Sequence, residues 1–401
     1  MRLLTNQPAP TPAVVLGSGH HGALGVARSL GRLGAPVYIV AGSPWEPAIC
    51  SRYCRGRFFL DLETGHSEQL IDGLLAIGRK LGSRPLLIPT ADRESLLVAK
   101  NSAALAEQFC FPPQNAALVS TLCDKSRMQE LARQNGLPTA QSMVPRTKDD
   151  VAQFAGAAVF PVMVKATHAE RFRRRTGHTK FLIRTRRELL DLYTKAEDGE
   201  GPNFLIQEFI PGEDWMFNGY FDSDSRCKFG LTGKKVRRFP ADGGVTSLGV
   251  CLRNDAVHHT TTEFMRAIGY RGILDIGFRY DRRDGQYKIL DVNPRIGCTF
   301  RLFTAKDDMD VAKALYLDLT DRPPSSAAVS FIDTAEGRKW IVEDFDLWSA
   351  LTSLSRGAMT LTDWLKSLRG IRETACFAFH DPLPSLMMAV ADCCELCRRR
   401  L

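Results

Sequence analysis

In the segment DVNPR, at 291–295, Asp291 and Asn293 stand two residues apart, so on a strand both side chains leave the same face. A carboxylate and an amide oxygen on one face, with Arg295 just beyond, suit Mg²⁺ and the phosphates it bridges. Asp275, on the preceding strand of the same predicted hairpin, can join them. Oxygen ligands of this kind favour Mg²⁺ over Zn²⁺. The eleven cysteines are scattered apart from Cys393, Cys394 and Cys397, and no second pair stands at zinc-ligand spacing, so reduced, idle thiols are expected. No Ser/His/Asp or Cys/His pairing suggests nucleophilic catalysis, and His20 and His21 read as loop residues.

The elements that must carry these residues follow from periodicity. The first 115 residues alternate strand-like and helix-like segments: AVVLG, ALGVARSLGRLG and PVYIV, then SEQLIDGLLAIGRKLG and RPLLIPTAD. That is the rhythm of a doubly wound parallel α/β sheet. From Ser120 the pattern changes to a capped helix ending near Gly136, a strand at AAVFPVMVKAT, a basic loop, and the helix RRELLDLYTKA. FLIQEFIPG, DWMFNGYFD, KFGLTGKKVRRFP and GILDIGFRYDRRDGQYKILDVNPR continue as strands, the last with a hairpin turn at DRRDGQ. Past Ala305 the chain reads as helical, crosses PPSS at 323–326, and stays helical to its last residue.

The spacing Gly17-x-Gly19-x-x-Gly22 at a strand-to-helix turn raises a dinucleotide site. Such a site needs an acid at the end of the second strand, where this chain has Val40, Ala41, Gly42 and Ser43. Two further readings stand beside it: a tight turn for close packing, and a helix N-terminus near Gly19 and His20 that faces an anionic substrate group.

A net charge of +8 comes partly from local clusters, Arg171, Arg173, Arg174 and Arg175, then Lys234, Lys235, Arg237 and Arg238. Clusters of this size suit a small polyanion, and no nucleic-acid-binding signature accompanies them. Apolar runs fall short of the roughly 20 residues that span a membrane. A cytoplasmic protein without nucleic-acid or membrane partners is expected. Hydrophobic residues at 44% and charged residues at 24% point to a globular chain, and 401 residues suggest more than one domain.

In this order, Asp124-Lys125, VMVKA, QEFIPGED and DVNPRIG resemble the ATP-grasp superfamily of carboxylate-amine ligases, in particular the branch of carbamoyl-phosphate-synthetase-like large subunits and D-aspartate ligases. The likeness runs to about Phe303. It implies a doubly wound α/β pre-ATP-grasp domain at 1–119, an α+β two-lobed ATP-grasp domain at 120–320 with its small lobe at about 150–210, and a helical C-terminal extension at 321–401. By resemblance, Lys125 and Lys165 would contact nucleotide phosphates or the adenine edge. Lys165 also lies in an apolar strand, where an unpaired charge is costly. The segment that starts at Gln207 would recognise adenine through Glu208 and the backbone of Phe209 and Ile210, with Asp214, in preference to Glu213, on the ribose. Asp291 and Asn293 would be paired Mg²⁺ ligands, with Mn²⁺ an alternative ion, and Arg295 would stabilise an acyl-phosphate.

Two departures stand out. Relatives carry an acid or glutamine where this chain has Gly277, so Asp275 is expected to reach the metal in its place. Where relatives have a glycine-rich flap, THAERFRRRTGHTKF offers arginines, either for phosphate or as a solvated loop. The resemblance implies ATP-dependent activation of a carboxylate and its condensation with an amine or amino acid, with release of ADP and phosphate. Lys235 and Arg237, on one strand face, are candidates for a substrate carboxylate, and Asp92, after the strand LLIPT, for an amine. A homodimer is an open assembly. A non-catalytic ATP-binding module and a dinucleotide oxidoreductase are the alternatives.

Overall fold

The computed structural model describes residues 10–398, except 18, 63–64, 168, 198, 200–202, 242–243, 306 and 323–335; the PPSS crossing lies outside the described residues. The chain divides into two compact units, one of Met1–Val119, Met216–Asp275 and Asn293–Leu401, the other of Ser120–Trp215 and Ile276–Val292.

In the first unit, β1 (Ala13–Leu16), β2 (Val37–Ala41), β3 (Cys54–Phe59) and β4 (Leu86–Pro89) form a sheet of order β3-β2-β1-β4. All its pairings are parallel. The AVVL run is apolar throughout because both faces are covered. Ala13 and Val15 join Leu24, Ala27 and Leu30 of the helix His21–Arg32 in one core. Val14 and Leu16 join Leu70, Leu74 and Ile77 of the helix Ser67–Leu81 in another. Each buried valine, leucine or isoleucine among them stabilises the fold by about 2 kcal/mol. The remaining strand, β3, alternates half-buried and exposed residues, as an edge strand does.

The second unit holds the antiparallel sheet β5-β8-β6-β7, made of β5 (Ser142–Met143), β6 (Val162–Ala166), β7 (Lys180–Ile183) and β8 (Phe204–Glu208). Val162, Val164, Phe204 and Ile206 pack there against Leu189 and Tyr193 of the helix Arg186–Ala196. The stretch expected as a basic loop contains a helix, Ala169–Thr176. Phe172 is its anchor, fully buried beside Phe181 and Phe204, while Arg173, Arg174 and Arg175 stay exposed. The single helix expected after Ser120 is two, Ala116–Cys123 and Lys125–Gln134. Asp124 breaks them by capping the second, accepting from the backbone N–H groups of Ser126 and Arg127 at 2.9 Å each.

A third sheet has the order β13-β12-β9-β10-β11-β14-β15, and the boundary between the units falls within β9 (Gly212–Phe221), β12 (Gly272–Asp281) and β13 (Gln286–Asn293). The others are β10 (Cys227–Phe239), β11 (Val245–Cys251), β14 (Lys339–Ile341) and β15 (Ile371–Thr374). The C-terminal stretch is thus helical with two short strands between the helices. Trp340 of β14 is buried in the first unit's core, and the buried Asp381 accepts hydrogen bonds from Arg28 at 2.9 Å and Ser51 at 2.7 Å.

Candidate functional site

In the second unit, β6 and β8 place Lys165 over Gln207. The Lys165 ammonium donates to Gln207 Oε1 at 2.5 Å, and this contact stabilises a charge on an otherwise apolar strand. Gln207 is 2% exposed, and its Nε2 is buried without a hydrogen-bond partner, which marks a donor awaiting an acceptor. Lys125 is exposed at the first turn of its helix.

The segment after β8 is gripped by two arginines that sequence reasoning missed. Arg279 of β12, 8% exposed, donates through Nε to the Ile210 carbonyl at 2.8 Å and through Nη1 to Asp214 at 2.7 Å, with its guanidinium 5.3 Å from the Phe209 ring centre. Arg283, in the hairpin turn, donates to Glu208 Oε1 at 2.5 Å, and Glu208 Oε2 accepts from the Gln141 backbone at 3.2 Å. The Ile210 carbonyl and the Asp214 carboxylate thus each have a cationic partner inside the protein. The neighbouring Glu213, whose side chain is 32% exposed and 3.5 Å from Arg282, is the more accessible acid. The signal for the two arginines was present in FRYDRRD, whose charges recur too densely for an ordinary strand end.

Asp291, also in the second unit, lies across from Gly277. A Cβ built on Gly277 would stand 2.5 Å from Asp291 Oδ1, so the carboxylate occupies room that a side chain at 277 would take. The departure at Gly277 is therefore the condition for this placement of Asp291.

In the first unit, Asp275 is seated the same way against a glycine: a Cβ on Gly297 would meet the Asp275 carboxyl carbon at 2.5 Å. Asn293 donates its Nδ2 to Asp275 Oδ2 and O, both at 3.2 Å, and its Oδ1 accepts from Arg295 at 3.2 Å. Arg295 donates through Nε to Asp92 at 2.8 Å and through Nη1 to the Ile296 carbonyl at 3.0 Å. Burial alone would lower the Arg295 pKa, but the charges of Asp92 and Asp275 outweigh it and raise the pKa. Asp92, expected to hold a substrate amine, thus has an internal cation as its partner. Cys298, next in this cluster, has its thiol pushed up to about 11 by burial and is a neutral thiol.

Arg237, expected to bind a substrate carboxylate, binds Asp346 instead, at 2.8 and 2.9 Å through Nε and Nη2, with Nη1 on Ser367 at 2.7 Å. The Asp346 side chain is 1% exposed, so this is an internal bidentate pair. A register shift between Lys235 and Arg237 also breaks the simple alternation assumed for β10. Lys235 remains half-buried opposite Gly249.

The glycine-rich turn is closely packed at its first glycine. Gly17 has φ +86°, and a Cβ there would press on Thr90 and Glu94. His20 caps the helix: its Nδ1 accepts from the Gly22 N–H at 3.0 Å and its Nε2 donates to the Thr90 carbonyl at 2.8 Å. Burial lowers its pKa, in keeping with that neutral tautomer, and both ring nitrogens are used internally, which corrects the expected substrate role of His20. Gly19 has open space around its Cα. His21, against Trp340 and Phe345, has its pKa lowered to about 3 by burial.

No protein-family model matches the chain. A D-aspartate ligase of Enterococcus faecium (strain Aus0004) is 25% identical over 264 residues, a match that takes in 63% of this chain and 61% of the relative, less than two thirds of that relative's length. Among solved structures, an L-amino acid ligase from Bacillus licheniformis superposes with a TM-score of 0.59 at 15% identity over 78% of this chain and 76% of that one. The biotin carboxylase domain of Hydrogenobacter thermophilus 2-oxoglutarate carboxylase, solved with MgADP, ADP and bicarbonate, gives 0.58 at 14% identity over 81% and 73%. Among the described residues no helix is long and apolar enough to cross a membrane. The chain has the fold of the ATP-grasp ligases, the superfamily that its order of motifs resembles, and a D-aspartate ligase is its homologue.

Proposed function

We propose that this chain is an ATP-dependent carboxylate-amine ligase. The observation that carries the reading is the β12–β13 hairpin, where Gly277 clears the space for Asp291 and Gly297 that for Asp275, with Asn293 on the same strand as Asp291. Two carboxylates and an amide oxygen fit Mg²⁺, and Mn²⁺ as a substitute, by their hard oxygen chemistry. When bound, the ion would neutralise charge on the nucleotide phosphates. Lys165, supported by Gln207, would hold a phosphate oxygen, and the unpartnered Gln207 Nε2 would supply a donor beside it. Glu208 and the backbone of the segment that Arg279 fixes would line the base.

In the reaction, an oxygen of the substrate carboxylate bonds to the γ-phosphorus as the bond to the β–γ bridging oxygen breaks, and ADP leaves. An amine then attacks the acyl carbon, the bond from that carbon to the phosphate oxygen breaks with its electron pair leaving on phosphate, and the amine loses a proton. Arg295, kept cationic by Asp92 and Asp275, stabilises the anionic acyl-phosphate. The amino-acid ligases among the relatives support an amino acid as one substrate, and we place the reaction in the cytoplasm.

Incubation with ATP, Mg²⁺ and pooled carboxylic acids and amines, read by ADP release and by mass spectrometry, tests this. A product heavier than an acid by the amine less one water, formed with stoichiometric ADP, is expected. Tight Mg-ATP binding without turnover on any pool would favour a non-catalytic nucleotide-binding module and overturn the ligase reading.

A further inference from the structure

In the first unit's parallel sheet, β2 and β3 extend to one side of β1 and β4 is added on the other, so the strand order reverses between β1 and β4. In open parallel sheets, ligands bind in the crevice outside the carboxyl ends of the strands at such a point. Leu16 pairs with Pro89 where the two strands end. The turns that follow are laced together: Thr90 Oγ1 donates to the Gly17 carbonyl at 2.9 Å, and His20 Nε2 to the Thr90 carbonyl at 2.8 Å.

Glu94 stands at this crevice, in the first turn of the helix Asp92–Lys100. It is 8% exposed, and its Oε2 is buried without a hydrogen-bond partner. The carboxyl group points at the turn after β1, with Oε1 and Cδ 3.3 and 3.4 Å from the place that a Cβ on Gly17 would take. A buried carboxylate oxygen in that state calls for a donor, and a cationic donor serves it best. Arg295 stands on the same wall. Ser95 Oγ donates to the Pro294 carbonyl at 3.2 Å, Arg295 Nε donates to Asp92 at 2.8 Å, and the charges of Arg295, Glu94 and Asp92 all act on His20. Asp92 has Arg295 as its partner, which leaves Glu94 as the acid with an oxygen to offer.

We propose that Glu94 is the general base for the attacking amine. Its Oε2 accepts a hydrogen bond from the substrate's ammonium group and then takes one proton from it. An N–H bond breaks, an O–H bond forms, and the nitrogen keeps the electron pair with which it attacks the acyl carbon. The second proton, shed once the C–N bond has formed, goes to the departing phosphate, and Glu94 returns its own to solvent. Burial raises the Glu94 pKa, opposed by its own backbone N–H, Arg93 and His20 and reinforced by Asp92, and a base raised toward the working pH accepts a proton more readily. This rests on the ligase reading above and adds to it the residue that receives the amine.

The test uses the full chain with ATP, Mg²⁺ and pooled carboxylic acids, and reads ADP release with two nucleophiles. Pooled amino acids present their amines as ammonium at pH 7, whereas hydroxylamine is uncharged there and intercepts the acyl-phosphate as a hydroxamate. In Glu94→Gln, which keeps the size of the side chain, the ratio of amino-acid-dependent to hydroxylamine-dependent ADP release should fall about 100-fold, the lower end for general acid–base catalysis. The ratio should recover as the pH is raised and solution supplies free amine. An unchanged ratio overturns the proposal, whether both rates fall together, as for a residue that only holds the turn, or neither falls. If Glu94→Gln does not fold, Glu94→Asp, which draws the carboxylate back by one methylene, is read by the same ratio. If the parent releases no ADP with either nucleophile, the ligase reading fails and this proposal with it, whereas an active parent and a variant indifferent to the nucleophile remove the role of Glu94 alone.

Discussion

The two ends of the β12–β13 hairpin are built on opposite principles. At the turn, charges meet charges: Asp281, with no exposed surface, accepts from Arg283 Nη2 and from Lys288, both at 2.6 Å, and Arg283 passes on to Glu208. At the other end, glycines stand beside carboxylates, Gly277 beside Asp291 and Gly297 beside Asp275. A charge network of this kind holds a shape. The empty Cβ positions leave room for each carboxylate in a fixed place. On the proposed function, the turn supplies architecture and the strand ends supply chemistry.

The sharpest way to break that division is to fill the empty positions. In Gly277→Ala the new Cβ would stand 2.5 Å from Asp291 Oδ1, and the carboxylate must move. A misplaced ligand by about 1 Å costs on the order of 100-fold in rate, so ADP release should fall by about that factor while the melting temperature changes little. Asp291→Asn should lose as much or more. Near-parental ADP release in both variants would show that Asp291 is not part of the metal site.

How much of this was legible in the sequence depended on the kind of signal. DVNPR, the hairpin at DRRDGQ and the parallel βαβ rhythm were readable because alternation and turn residues are local. The partners of Asp92, Asp214 and Arg237 were not, since Arg295, Arg279 and Asp346 lie 203, 65 and 109 residues away. A charged residue read alone looks available for substrate; only the fold shows that an internal ion has taken it. The helix at Ala169–Thr176 was missed because its inward face rests on Phe172, one apolar residue in a run of charges. β14 and β15, at three and four residues, are too short to show a period.

The turn end can be tested through stability. The hydrogen bond from Arg283, with Lys288 beside it, outweighs burial and holds the Asp281 carboxyl well below the usual carboxylate range. A carboxylate whose pKa is depressed by folding contributes stability that is present above its unfolded value of about 3.9 and is lost as pH falls through the folded one. Asp281→Asn should therefore destabilise the protein at pH 7 by about 3 kcal/mol, the scale for breaking a buried pair. The gap between variant and parent should narrow below about pH 4. Urea melts at pH 7 and at pH 3 check both statements; an equal gap at the two values would mean that the charge of Asp281 does not hold the turn.

Arg279 lies between the two ends and should show an intermediate behaviour. It touches neither the metal ligands nor the reacting atoms, but its two donors fix the Ile210 carbonyl and Asp214, and through them the segment proposed to line the base. Lysine keeps the charge and loses the planar fork, so it cannot hold both acceptors in the same geometry. Arg279→Lys should raise the KM for ATP about fivefold, worth roughly 1 kcal/mol of binding, and leave kcat within about twofold, because uniform binding is lost without loss at the transition state. Steady-state kinetics across ATP concentrations separates the cases. A fall in kcat with KM unchanged would place Arg279 with the chemistry of the strand ends, and the boundary drawn along the hairpin would have to move.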